Sequence, residues 1–441
     1  MSRQLFGTDG VRGRAGEFLT AELALALARA TVELSCDRHP RVLIVRDTRE
    51  SGAMLEAAIA AGVTSAGGDV LLGGVLPTPA APLLLRRHGL QLAVVISASH
   101  NPYEDNGIKF FAGDGFKLSD ETETEIENRI DLPGAPSERT GRVRELHGAL
   151  EDYLRELHTR FVSLDLSGRR ILLDCANGAT YRAAPEIFRR LGAQVDVVAD
   201  DPDGRNINAG VGSTHMGHLC ELMAGGEYDA GFAFDGDGDR VLAVDRHGVV
   251  IDGDELVAIV ATHYKRTGVL NGGGVAVTVM TNYGFHTAMQ DAGINVTTTA
   301  VGDRYVNEAL RNLDWRLGGE QSGHIIDLGF GPSGDGIASA LLTLEALDGG
   351  DLVDRQAMVK LPQKLVNIRA ASRERLTAAM DSDQVKRAVS AAAASLAGRG
   401  RVLVRASGTE PLIRVMVEAP TQEETDEVCS ELATAVESAL A

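Results

Sequence analysis

The chain has 441 residues, enough for about three domains with a core in each; 44% are hydrophobic and 24% charged, and no run of about 18 apolar residues occurs, which excludes a membrane-spanning helix. Its 43 basic against 62 acidic side chains leave a formal net charge of −19. That is a poor basis for holding nucleic acid, although screening over about 8 Å still lets a local arginine cluster take a small phosphate.

The opening residues, Met1 to Gly10, turn polar and Gly-rich at once and lack the apolar h-region of a signal peptide, so a cytoplasmic location is expected. The segment Phe6-Gly7-Thr8-Asp9-Gly10-Val11-Arg12-Gly13 offers one cation, Arg12, in a flexible setting. Next comes a unit of strand, polar turn, helix and strand: Val42 to Val45, the turn Arg46-Asp47-Thr48-Arg49, a helix ending at Gly67-Gly68, then Val70 to Leu72. The same unit recurs at Ile171 to Val198, around the turn Cys175-Ala176-Asn177-Gly178, and at Val275 to Thr297, around Thr281-Asn282-Tyr283-Gly284. Copies more than 100 residues apart suit duplicated domains, not a solenoid. From about Leu365 the pattern changes to a strand, an Ala-rich helix, the strands Arg401 to Val404 and Leu412 to Val417 around a Gly loop, and a final helix. The expected fold class is α/β, with three related α/β domains carrying mixed sheets and a smaller α+β C-terminal domain. The expected domains are 1–150, 151–252, 253–364 and 365–441, with Lys360-Leu361-Pro362 as a linker. Cys36, Cys175, Cys220 and Cys429 form no C-x-x-C pair, which argues against zinc and disulfides.

Several segments carry candidate chemistry. The apolar run Leu92 to Ile96 delivers the chain into Ser97-Ala98-Ser99-His100-Asn101-Pro102, and a loop at a strand end is where α/β domains place reactive groups. Ser99 beside His100 reads as a nucleophile with a neighbouring base, or equally as a Ser/Asn-rich turn; in an extended loop the two side chains would point apart. Asp235-Gly236-Asp237-Gly238-Asp239-Arg240 follows the apolar Gly231 to Phe234. Three carboxylates with interleaved glycines form an oxygen cage for a hard cation, favouring Mg²⁺, with positions left for phosphate oxygens. An EF-hand loop is excluded by Arg240 and Arg246, where Gly and Glu would be required. Gly319-Glu320-Gln321-Ser322-Gly323-His324 suits sugar hydroxyls, or reads as a structural turn, and Asn106-Gly107-Ile108-Lys109 is similarly ambiguous. Arg405-Ala406-Ser407-Gly408-Thr409-Glu410-Pro411, followed by Arg414, reads as a phosphate cradle or a tight hairpin. No G-x-x-x-x-G-K-[ST] P-loop occurs.

Taken in order, the five motifs beginning at Phe6, Ser97, Asp235, Gly319 and Arg405 resemble the α-D-phosphohexomutase superfamily, over nearly the whole chain. The resemblance implies four domains around a central cleft, phosphorylation of Ser99, and one Mg²⁺ held by the Ser99 phosphate with Asp235, Asp237 and Asp239. It implies sugar recognition by Glu320, Ser322 and His324, with Arg405, Ser407, Gly408, Thr409 and Arg414 on the distal phosphate. Arg12, Lys109 and Arg240 would face the transferring phosphoryl group. Lys109 or His100 would move the hydroxyl proton, Lys109 being favoured because its relatives sit at the reacting oxygen. Where related mutases carry a sugar-reaching histidine, this chain has Val301-Gly302-Asp303-Arg304-Tyr305. The motif wording is similar to the amino-sugar branch, implying interconversion of glucosamine 6-phosphate and glucosamine 1-phosphate through a 1,6-bisphosphate, a supply of cell-wall precursor. A glucose or mannose phosphate mutase is the nearest alternative; a non-catalytic sugar-binding protein and a phosphatase are more distant ones. The implied partner is a small phosphosugar, without nucleic acid or membrane, and a homodimer is compatible with the sequence.

Overall fold

Leu92–Ile96 is buried at every position, which a strand achieves only inside a sheet covered on both faces. The computed structural model describes residues 4–135, 137–406 and 411–440. In it this strand lies within a seven-stranded sheet ordered Phe6–Gly7, Gly10–Arg14, Asp105–Ala112, Leu92–Ile96, Arg41–Arg46, Asp69–Val75 and Val143–Glu145. It runs parallel to Arg41–Arg46 and antiparallel to Asp105–Ala112. Helices Ala21–Glu33 and Gly52–Ser65 close one core, where Leu27, Ile44, Ile59, Val63, Val94 and Ile108 are buried; each large aliphatic side chain there contributes about 1.5–3 kcal/mol. The two helices touch because Gly62 has no Cβ, which would lie 2.3 Å from the Leu25 carbonyl oxygen.

A five-stranded sheet follows in the order Val250–Ile251, Val241–Asp245, Ala230–Phe234, Arg170–Asp174, Gln194–Val198, and a four-stranded sheet in the order Asn295–Thr299, Gly274–Thr278, Leu317–Gly319, Ile325–Asp327. Ala230–Phe234 is parallel to Arg170–Asp174, and Leu317–Gly319 to Gly274–Thr278. All three repeated strand–helix–strand units form, with helices Gly52–Ser65, Ala183–Arg190 and Tyr283–Asp291.

By contact density the chain divides into two compact units, Met1–Met280 with Ile294–Arg355, and Thr281–Gly293 with Gln356–Ala441. The second unit takes in the helix Tyr283–Asp291, whose first amide donates to Glu418 at 2.8 Å while Asn282 exchanges hydrogen bonds with Leu361. Its antiparallel sheet runs Gln363–Arg369, Leu412–Glu418, Arg401–Ala406 and packs on Val428 and Leu432 of the helix Gln422–Leu440. The expected single Ala-rich helix is two, Arg373–Asp381 and Asp383–Ser395. Ser382 ends the first and caps the second by accepting from the Val385 amide at 3.2 Å. Mixed sheets in the α/β domains and a smaller α+β C-terminal domain are the expected fold class.

Candidate active site

The candidate loops sit where parallel strands end. Ser99 follows Leu92–Ile96, Asp235 follows Ala230–Phe234 and Glu320 follows Leu317–Gly319, so three sheets of the larger unit deliver polar groups at their carboxyl ends. Ser99 is 1% exposed and left-handed, with φ of 54°. The loop is therefore not extended, and the expectation that Ser99 and His100 point apart is corrected: Ser99 Oγ lies 3.3 Å from His100 Nδ1. Ser99 Oγ also donates to Asp235 Oδ2 at 2.5 Å.

Asp235, Asp237 and Asp239 are all buried, and one carboxylate oxygen from each lies within 4.8 Å of the others. Gly238, with φ of 72°, turns the loop so that its alternate side chains converge. Asp237 Oδ2 is occupied, accepting from Lys109 Nζ at 2.8 Å and from Thr78 Oγ1 at 2.6 Å. Asp237 Oδ1 is buried and makes no hydrogen bond, and Asp239 Oδ1, also buried, has only the longer ion pairs to His324 Nδ1 at 3.5 Å and Arg240 Nε at 3.8 Å, a costly condition that a bound hard cation would relieve. Burial, followed by Asp239 and Asp237, pushes the Asp235 carboxyl well above its ordinary range. The donor set, oxygen only with Asp237 Oδ1 left without a partner, fits Mg²⁺.

Cations surround this cluster. Lys109 Nζ lies 2.8 Å from Asp237, 2.9 Å from Asp9 and 3.6 Å from Asp239. Burial opposes its charge, but these three carboxylates outweigh burial and raise the ammonium above its usual range. Arg12 pairs with Asp9 and reaches the Ala98 carbonyl at 3.4 Å, and the Arg240 amide donates to Asp235 Oδ1 at 3.1 Å. Burial, together with Arg240 and Arg12, brings the His100 imidazole down to about 4, so it is neutral at pH 7. Lys117 bridges Asp9 and Asp303.

Glu320 Oε1 accepts from the Gly302 amide at 2.8 Å, and its other oxygen lies 3.4 Å from the exposed Ser322 hydroxyl. His324 lies next to the carboxylate cluster. It is buried, with Nδ1 3.5 Å from Asp239, while Nε2 accepts from the Gly334 amide at 3.2 Å. His324 thus stands beside both Asp239 and the Glu320 loop. Arg405 and Arg414 are directly opposed across neighbouring strands of the smaller unit; Ser407, Gly408 and Thr409 lie outside the described residues. Sequence reading passed over Thr78, Asp9, Lys117, Arg49 and Asn208. Their one signal was position: Arg49 lies in a polar turn at a strand's carboxyl end, and Asp9 in the Gly-rich opening motif.

A serine hydroxyl against three convergent carboxylates, ringed by cations, is an arrangement suited to phosphoryl transfer. Models of the phosphoglucomutase/phosphomannomutase domains match in series: α/β/α domain I over residues 3–133, domain II over 151–248, domain III over 252–364 and the C-terminal domain over 365–435. The phosphoglucosamine mutase of Moorella thermoacetica is 49% identical over 440 residues, covering 97% of this chain and 98% of that protein. That of Listeria welshimeri is 45% identical over 447 residues, covering 99% and 98%. A phosphoglucomutase/phosphomannomutase family protein from Burkholderia thailandensis shares the fold, with a TM-score of 0.82 at 21% identity over 100% of this chain and 98% of that one. The chain belongs to the phosphoglucomutase/phosphomannomutase family, the α-D-phosphohexomutases. It is a sugar-phosphate mutase and hence an isomerase.

Proposed function

We propose that this mutase interconverts glucosamine 6-phosphate and glucosamine 1-phosphate through phosphorylated Ser99 and a 1,6-bisphosphate, supplying amino-sugar precursor for cell-wall synthesis in the cytoplasm. The observation that carries the reading is Ser99 Oγ, 2.5 Å from Asp235 at the edge of a buried carboxylate triad. Relatives at 45–49% identity that carry the name phosphoglucosamine mutase support the amino sugar. The four domains are proposed at 1–150, 151–252, 253–364 and 365–441.

In the forward half-reaction the bond between phosphorus and the serine oxygen breaks and a bond from phosphorus to the sugar's C1 hydroxyl oxygen forms. One proton passes from that hydroxyl to the serine oxygen. His100, with Nδ1 3.3 Å from Oγ, is placed to relay it. Lys109, favoured on resemblance, has its ammonium taken up by Asp9, Asp237 and Asp239 and acts in this reading as a fixed charge beside the phosphoryl group. Asp235, Asp237 and Asp239, with an oxygen of the serine phosphate, would hold one Mg²⁺, which when bound offsets negative charge on the phosphoryl oxygens. Arg12 and Arg240 add charge from the protein. Glu320, Ser322 and His324 orient the sugar, and Arg405, Ser407, Gly408, Thr409 and Arg414 take the distal phosphate. The return half-reaction moves the 6-phosphoryl group to Ser99 by the same steps reversed.

The test compares kcat/KM on glucosamine, glucose and mannose 6-phosphates with Mg²⁺ present, alongside the intact mass of the chain. Glucosamine 6-phosphate is expected to lead, with one phosphate on Ser99. A hexose ahead by roughly tenfold would favour a phosphoglucomutase or phosphomannomutase instead. A fully active Ser99→Ala chain would end the phosphoserine route.

A further inference from the structure

Two side chains from different sheets grip the same pair of carbonyls behind Ser99. Arg49 follows the strand Arg41–Arg46, and its Nη2 donates to the Ser99 and Asn101 carbonyls, each at 2.9 Å. Asn208, which lies beyond the strand Gln194–Val198 of the second sheet, donates through Nδ2 to the same two carbonyls at 2.9 and 3.1 Å. Arg49 Nη1 also holds the Asp105 carbonyl at 3.0 Å and the Pro102 carbonyl. The guanidinium is fully enclosed with Asp47, 2.8 Å from its Nε. Asp47 in turn accepts from Ser97 Oγ at 2.6 Å, and that hydroxyl accepts from the Ser99 amide at 2.9 Å. Both backbone polar groups of Ser99 are thus held, N–H through Ser97 and C=O through Arg49 and Asn208.

We propose that Arg49 and Asn208 are positioning residues, a two-sided clamp that sets the aim of the Ser99 oxygen during phosphoryl transfer. Ser99 is a non-glycine residue at φ of 54°, a conformation that costs on the order of 1 kcal/mol and persists only where surrounding contacts over-determine it. The clamp acts entirely on backbone, which leaves Oγ turned toward Asp235. It is also coupled to the carboxylate loop, because a Cβ on Gly236 would lie 2.6 Å from the Ser99 carbonyl oxygen and 2.7 Å from Asn208 Nδ2. Arg49 is enclosed and Asn208 nearly so; neither is placed to touch a sugar. Loosening them should therefore misplace the nucleophile without weakening substrate binding, and a displacement of about 1 Å can cost roughly a hundredfold in rate.

The proposal rests on the phosphoserine reading, and the experiment separates the two. Arg49→Lys keeps a counter-charge for Asp47 but lacks the fork. Asn208→Gly removes the amide and still accepts the left-handed backbone, φ of 59°, found at that position. With Mg²⁺ and glucosamine 6-phosphate, each variant is expected to lose roughly ten- to a hundredfold in kcat, with KM within about twofold, a wild-type phosphate content on Ser99, and a shifted phosphoserine ³¹P resonance. The combined loss in the double variant should fall short of the product of the single losses, because both donors hold the same carbonyls. Wild-type kcat in both variants while Ser99 carries its phosphate would overturn the clamp alone. So would kcat and KM moving together with a lowered melting temperature. A wild-type chain that never carries phosphate on Ser99 would overturn the reading beneath it. If Arg49→Lys fails to fold, Asn208→Gly decides alone.

Discussion

Lys109 is 1% exposed and still charged, because three carboxylates face its ammonium. The relation is mutual: without that ammonium, Asp237 would lose its ion-pair partner in a place from which water is largely excluded, while Asp9 keeps Arg12 and Lys117 and Asp239 keeps His324. Removing one partner of a buried ion pair costs about 3–5 kcal/mol, since the remaining charge is left uncompensated. Lys109→Met is therefore expected to lower the urea midpoint sharply in EDTA and less in Mg²⁺, because a divalent cation supplies part of the missing charge. Matching midpoints with and without the metal would show that Lys109 is not the main charge balance of the cluster. Thr78 is a milder case. Its hydroxyl donates to Asp237 at 2.6 Å from a loop of the first sheet, and Thr78→Val should cost about 1–3 kcal/mol of stability by leaving that oxygen with one donor fewer.

At the scale of elements, strands were legible because an apolar run ending in a polar turn is a local signal: Leu92–Ile96 before Ser99 and Ala230–Phe234 before Asp235 could be read directly. The left-handed turn at Ser99 was not, since it depends on Arg49 and Asn208, about 50 and 109 positions away in sequence. The setting of His324 is not local either. Its burial follows from Gly334 and Asp239, which meet it only after the four-stranded sheet has formed. Helix Gly336–Leu347 shows a further long-range dependence. Its cap, Asp335, accepts from the Ala338 amide at 2.9 Å and from Tyr153 Oη at 3.0 Å, and burial pushes its carboxyl up to about 6. The native state thus binds this proton more tightly than the unfolded chain, so the associated stability is present below about pH 4 and is lost as pH rises toward 6. Asn cannot ionise and keeps an acceptor for both donors. Relative to Asp335→Asn, the wild-type chain should lose about 2 kcal/mol between pH 4 and pH 6.5, at 1.36 kcal/mol per unit. Urea midpoints measured at both pH values for both chains give this as a difference of differences. Parallel pH profiles would mean that Asp335 does not carry the extra proton.

At the scale of the molecule, a chain of net charge −19 gathers three of its carboxylates into one enclosed cluster, where each raises the cost of ionising the next. That arrangement spends stability on a site, and a cation should return it. A ligand that binds only the folded state at a hundred times its Kd adds about 2.7 kcal/mol, which for a unit of this size corresponds to roughly 4 °C in melting temperature. Mg²⁺ is therefore expected to raise the melting transition of the larger unit, which holds the triad, and to leave that of the smaller unit where it was. Asp235→Asn sharpens the test. It keeps an acceptor for Ser99 Oγ, gives up one acceptor for the Arg240 amide, about 1 kcal/mol, and removes one of the three mutually repelling charges. In EDTA the variant should melt at or above the wild-type temperature, and adding Mg²⁺ should shift it far less. Calorimetry in EDTA and in excess Mg²⁺, on both chains, decides the matter. An equal metal-induced shift in the two chains would place the cation elsewhere. A variant less stable than wild type in EDTA by more than the lost hydrogen bond would mean that the three carboxylates do not repel as their spacing requires.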